Sequence, residues 1–197
     1  MSEERPRYHH GDLRAALLAA GEAELAASGS AAFSLRRVAR RVGVSHSAPA
    51  HHFGDADGLL DALATEGFRR FLAAMEAREA AAPRDDPRAR MIGSGLGYVD
   101  FASASPALFR LMFATDRRPD RSPELITAGD AAFRHLADGI ARLRGASPFE
   151  DASVMVDVMA AWSMVHGYAE LMIFRRLPPS ATAREEVLIN LLGRSLP

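Results

Sequence analysis

Three of the seven histidines fall within twelve residues, "VGVSHSAPAHHF", Val42 to Phe53. Histidines so close together suggest three chemistries: a metal site, a catalytic pair, or a polar surface that touches a partner. The spacing argues against the first two. His51 and His52 are adjacent, so on a helix they diverge by about 100° and cannot readily share one ion. His46 has no partner four residues on, because position 50 is alanine. His9 and His10 have no evident third ligand, and the chain contains no cysteine for a thiolate site. No metal and no cofactor are expected. No nucleophile, base and orienting group stand at a telling spacing, so no enzymatic activity is expected either. The glycine cluster "GSGLG" (Gly93–Gly97) lacks the Lys-Ser/Thr of a phosphate loop, and no strand precedes it. Small residues that let helices approach closely, or a helix loosened beside a ligand, explain it better.

The third chemistry fits. Ser34 precedes a short segment in which Leu35, Val38, Ala39 and Val42 recur at i, i+3, i+4 and i+7. Gly43 then turns the chain, Val44 plugs the gap, and Ser45 is read as the cap of a second short helix. Two short helices joined by a glycine turn make a helix-turn-helix, whose second helix enters the DNA major groove. Its exposed side would show Ser45, His46, Ser47 and His51 to base edges and phosphates. The preceding helix carries Arg36, Arg37, Arg40 and Arg41, a local cation on a chain of net charge −1. His52 and Phe53 would close the core of this head against the first helix.

"SLRRVARRVGVSHSAPAHHF" followed by "GDADGLLDALATEGF" resembles the DNA-binding domain of TetR-type transcriptional regulators, over roughly Tyr8 to Phe71. "YHHGDLRAALL" at the start is similar to one branch of that family. So are "YVDFASASPALFRLMF" (Tyr98–Phe113) and "WSMVHGYAEL" (Trp162–Leu171), with Trp162 and His166-Gly167 as that branch's signature. The resemblance implies a ligand-responsive regulator, a repressor that binds a palindromic double-stranded DNA operator as a homodimer. It implies DNA contacts from Ser34, Arg36, Arg37, Val44, Ser45, His46, Ser47, Ala48, Ala50 and His51. Two positions depart from the family pattern. Ala50 stands where the family usually has Tyr, and Ala56 where it usually has Lys; both commonly hold phosphates. An adaptor or small-molecule-binding protein with weakened DNA binding is the alternative.

In the C-terminal half, Tyr98, Phe101, Met112, Phe113, Phe133, Met159, Trp162 and His166 form an aromatic and methionine set. Such residues usually make plain core. The resemblance implies that some of them line a pocket for a small apolar or amphipathic effector. His166, in the most apolar segment, needs a hydrogen-bond partner whether or not it meets a ligand.

The elements that must position these residues read as helices throughout. Apolar residues recur at three and four, and nothing alternates for long. The expected fold is all-α, with about nine helices. A helix-turn-helix head (residues 1–55) is joined by a long helix to a ligand-binding and dimerisation bundle (residues 56–197). The first helix runs from about Asp12 to Ala27 and ends at Gly29. The long one runs from about Asp57 to Ala81, with Leu60, Ala64, Phe68, Phe71 and Met75 inward. Ser105-Pro106, Ser122-Pro123 and Ser147-Pro148 each read as a cap followed by proline at a helix start. Pro178-Pro179 closes the penultimate helix. The stretch from Ala152 to Phe174 is long enough to raise the membrane question, but Asp157, His166 and Glu170 would be costly in lipid. It reads as a buried helix that, with the last helix (Val187, Leu188, Leu191, Leu192), has more apolar surface than one subunit covers. The polar N-terminus carries no secretory signal, and a cytoplasmic location with no membrane partner is expected.

Overall fold

The computed structural model describes residues 10–115, 121–176 and 184–196. Among these, nine helices and no strands are present. Tyr8, His9 and the Pro178-Pro179 pair lie outside the described residues.

The head contains α1 (His10–Ser28), α2 (Leu35–Val42) and α3 (Ala48–Phe53). Leu17 and Leu25 of α1 and Val38 and Ala39 of α2 are buried together. Gly29 ends α1 at φ +70°, and Gly43 ends α2 at φ +76°. Both lie in the left-handed region, where a side chain is strained. The start of α3 differs from the sequence expectation. Residues 46–47 form a turn, and the helix begins at Ala48 with Ser47, not Ser45, at the N-cap position. Pro49 then lies in the first turn, where its missing N–H costs nothing.

The long helix α4 (Ala56–Ala80) serves both halves. Asp55 caps it by accepting the Gly58 N–H at 2.8 Å. Leu59, Leu60 and Leu63 near its start pack in the head, and Phe68, Phe71 and Met75 further along pack in the body. One continuous core therefore runs from Leu17 through α4 to Tyr98 and Phe109.

The body adds α5 (Pro87–Ala104), α6 (Pro106–Thr115), α7 (Pro123–Arg144), α8 (Ala152–Ile173) and α9 (Arg184–Ser195). The glycine cluster explains how closely α4 and α5 approach. A Cβ at Gly97 would sit 2.3 Å from the Ala74 carbonyl oxygen, and one at Gly93 2.7 Å from that of Arg78. Ser122 caps α7 as expected, with its hydroxyl accepting the Leu125 N–H at 3.2 Å. The Ser147-Pro148 expectation is corrected. Those residues make only a turn, and Asp151 caps α8 by accepting the Ser153 N–H at 2.8 Å. No described helix is long and apolar enough to cross a membrane.

Candidate functional site

The head presents two ridges of arginine on α2, and the structure separates them. Arg37 donates to the buried Glu24 carboxylate of α1, and Arg41 Nε lies 3.4 Å from the other Glu24 oxygen. Burial would raise the Glu24 pKa, but its hydrogen bonds and the Arg37 charge hold it below the usual value. These two arginines therefore fasten α2 to α1. Arg36 and Arg40 on the adjacent ridge are exposed and make no ion pair among the described residues. Sequence reasoning assigned Arg37 to DNA contact; much of its charge is already engaged inside the head.

Beside this ridge, Ser45, His46, Ser47, Ala50 and His51 are exposed, while Ser34, Val44 and Ala48 are half-buried. The Ser45 and Ser47 hydroxyls lie 3.1 Å apart. Val44 packs against the core, as a plug between the helices should. His52 does not close the head: it is exposed. Phe53 alone packs inward, with the Arg14 guanidinium 5.2 Å from its ring centroid. Ala56 is half-buried at the first position of α4.

The body holds a partly open cavity of about 230 Å³. Phe68, Phe71 and Met75 of α4 form one wall. Ser94, Gly95 and Tyr98 of α5 form another, and Phe133 of α7 faces Trp162 of α8 at 5.9 Å between ring centroids. Leu192 and Leu196, at the end of the chain, close one side. Arg121, Ile126 and Asp130 add a more polar border.

Of the eight residues singled out from sequence, Tyr98, Phe113, Phe133 and Trp162 line this cavity. Phe101, Met112, Met159 and His166 do not. Phe101 and Met112 are packed in solid core, and Met159 faces outward. His166 sits behind the wall, where its Nδ1 is 2.7 Å from the Tyr98 hydroxyl. Burial lowers the His166 pKa, against an opposing effect of Glu170, and so favours the neutral ring, which shares one hydrogen bond with the phenol. Burial also pushes the Tyr98 phenol well above its ordinary pKa. Sequence reasoning missed Phe68, Phe71 and Met75 as wall residues. They were legible as core, and nothing in their spacing tells a core face from a cavity wall.

It also missed a buried polar cluster beside the cavity. Glu79, at the end of α4, is almost fully buried. Its Oε1 accepts from Arg90 at 2.6 Å and from Arg142 at 3.3 Å, and its Oε2 lies 3.2 Å from His135 Nε2. The same His135 nitrogen is 3.0 Å from the Ser94 hydroxyl.

Comparison with known proteins adds to this geometry. The description "Bacterial regulatory proteins, tetR family" matches residues 17–63, and "Tetracyclin repressor-like, C-terminal domain" matches residues 91–194, more than half of the chain. The chain belongs to the tetR family. Its head is that family's helix-turn-helix. The chain spans 65% of the length of the HTH-type transcriptional regulator BetI of Yersinia pestis (strain Pestoides F), at 29% identity over 128 residues. BetI of Burkholderia cenocepacia (strain HI2424) is also 29% identical, with 81% of this chain and 93% of that one covered. Among solved tetR-like folds, a protein of unknown function from Rhodococcus sp. RHA1 superposes with a TM-score of 0.81. It is 32% identical, over 98% of this chain and 97% of that one. The TetR family regulator PfmR of Thermus thermophilus shares the fold, with a TM-score of 0.66 and 21% identity over 91% of this chain and 96% of that one.

Proposed function

We propose that the protein is a ligand-responsive repressor that binds a palindromic operator as a homodimer. The head ends at about residue 55 and the effector-binding and dimerisation body begins at about 56, with α4 shared between them. The observation that carries this reading is the exposed Arg36–Arg40 ridge standing beside the exposed Ser45–Ser47 turn, on a chain whose body holds an aromatic cavity. Guanidiniums fix the register on phosphates, and the turn and α3 reach the base edges.

The dimer follows from an uncovered stripe on α8. Val156, Met159, Ala160, Ser163, Gly167 and Leu171 share one face; Val156 is 65% and Met159 45% exposed. Nothing lies within 4 Å of a Cβ built at Gly167, so a second copy's helix has room to pack there. On α9, Val187 and Leu191 face outward, while Leu192 reaches the cavity. One helix thus touches both the effector and the partner. An effector that favours one packing of α9 would shift the spacing of the two heads, by no more than its differential affinity for the two states.

A second reading is an adaptor with weakened DNA binding. Ala50 is exposed and Ala56 half-exposed, and neither side chain can hold a phosphate. A salt titration of DNA affinity distinguishes the two. Ala56→Lys adds one ionic contact per subunit, and the log-affinity against log-salt slope should steepen by up to about 1.8 per dimer. An unchanged slope means that position 56 does not face the backbone.

A further inference from the structure

The cavity's volume and its hydrogen-bonding groups narrow the ligand, and this inference rests on the effector-pocket reading above. A dry cavity of about 150 Å³ holds a benzene. At about 230 Å³, and open on one side, this one has room for a single substituted ring. Its rings meet each other tilted or edge to face, the arrangement that also suits a guest ring.

One polar group on the wall, Tyr98, is already engaged. The Tyr98 hydroxyl shares a hydrogen bond with His166 Nδ1 at 2.7 Å. Ser94 differs. It is 2% exposed, lines the cavity, and among the described residues has His135 Nε2 as its one polar partner. That nitrogen also faces the Glu79 carboxylate at 3.2 Å. A ring nitrogen with a bare lone pair would repel that carboxylate, so Nε2 carries the hydrogen. The Ser94 oxygen is then the acceptor in its bond to His135, and its own hydroxyl hydrogen remains unused. A buried donor without a partner is costly, and a ligand acceptor relieves that cost.

We infer that the cavity takes an uncharged, single-ring aromatic compound bearing one hydrogen-bond acceptor, such as an aryl ketone or ester, with the Ser94 hydroxyl donating to that acceptor. A charged carboxylate fits less well. Arg90 and Arg142 lie behind Glu79, which already occupies them, Arg121 on the cavity border has an interaction of its own, and an ion would lose its water against a wall of phenylalanines.

The test is a binding series on the full-length protein, followed by quenching of Trp162, the single tryptophan, and by thermal shift. The probes are benzene, ethylbenzene, acetophenone and benzoate, with wild type and Ser94→Ala. Acetophenone should bind wild type about tenfold more tightly than ethylbenzene, which has the same shape without the acceptor. Ser94→Ala should erase that difference and leave ethylbenzene unchanged. Equal binding of acetophenone and ethylbenzene to wild type overturns the Ser94 anchor while leaving the pocket intact, and this comparison needs no variant. Benzoate binding more tightly than acetophenone overturns the uncharged class. Failure of all four probes, benzene included, overturns the pocket reading itself.

Discussion

The Tyr98 hydroxyl and His166 Nδ1 are 2.7 Å apart, so the phenol lines the cavity and the imidazole supports it from behind. Burial lowers the His166 pKa from an ordinary 6.5, and Glu170 only partly opposes this. The folded chain therefore binds fewer protons at this site than the unfolded chain. The stability that follows is complete above about pH 6.5 and falls as the pH drops below it. The melting temperature of wild type should fall between pH 7 and pH 5.5 by more than that of His166→Gln, whose amide can donate or accept in the bond to Tyr98 without titrating. Equal falls in the two proteins would place the acid sensitivity elsewhere.

Glu79 joins α4 to α5 and α7 through Arg90, Arg142 and His135. Glu79→Gln should destabilise the chain by about 2 kcal/mol. That is less than for a fully buried pair, because Arg142 is half-exposed and can turn to water. Urea unfolding should show a lower midpoint at unchanged slope. An unshifted midpoint would reduce the cluster to a surface network.

Gly97 tests the α4–α5 contact. A methyl group there meets backbone that cannot turn aside, so Gly97→Ala should cost about 1–3 kcal/mol. At Gly129 the nearest atoms, on Phe68, are 3.7 Å away. Gly129→Ala, in the interior of α7, should therefore be neutral or stabilising by about 0.5–1 kcal/mol. Equal effects in thermal unfolding would contradict the close approach.

The dimer prediction depends on choosing the right leucine. Leu188 is 1% exposed and sits in the chain's own core, so arginine there would unfold the subunit. Leu191 and Met159 face outward. Met159→Arg with Leu191→Arg should yield a folded monomer by sedimentation, while wild type sediments as a dimer at micromolar concentration. A monomeric wild type would remove the interface.

How much the sequence disclosed depended on how local each signal was. Helix periods, the Gly43 turn and the Ser122 cap are written within a few residues, and the structure agrees with them. Ser45 and Ser147 were read as caps although Ser47 and Asp151 fill those positions, because several small polar residues crowd each boundary and only the backbone chooses among them. Glu24 with Arg37 and Glu79 with His135 join residues 13 and 56 positions apart, and no spacing rule reaches that far. Met159 and Trp162 are both large and apolar and sit one turn apart on α8, yet one faces out and the other lines the cavity. Composition cannot separate them; the neighbouring helices do.

The central claim is that this head reads DNA. Fluorescence anisotropy on the duplex upstream of the protein's own gene, against a shuffled duplex of equal length at about 150 mM salt, tests it most directly. The account predicts saturation at an even number of chains per duplex and an affinity at least about a thousandfold above that for the shuffled sequence. Equal affinity for the two duplexes, or none for either, would contradict it and leave the adaptor reading standing.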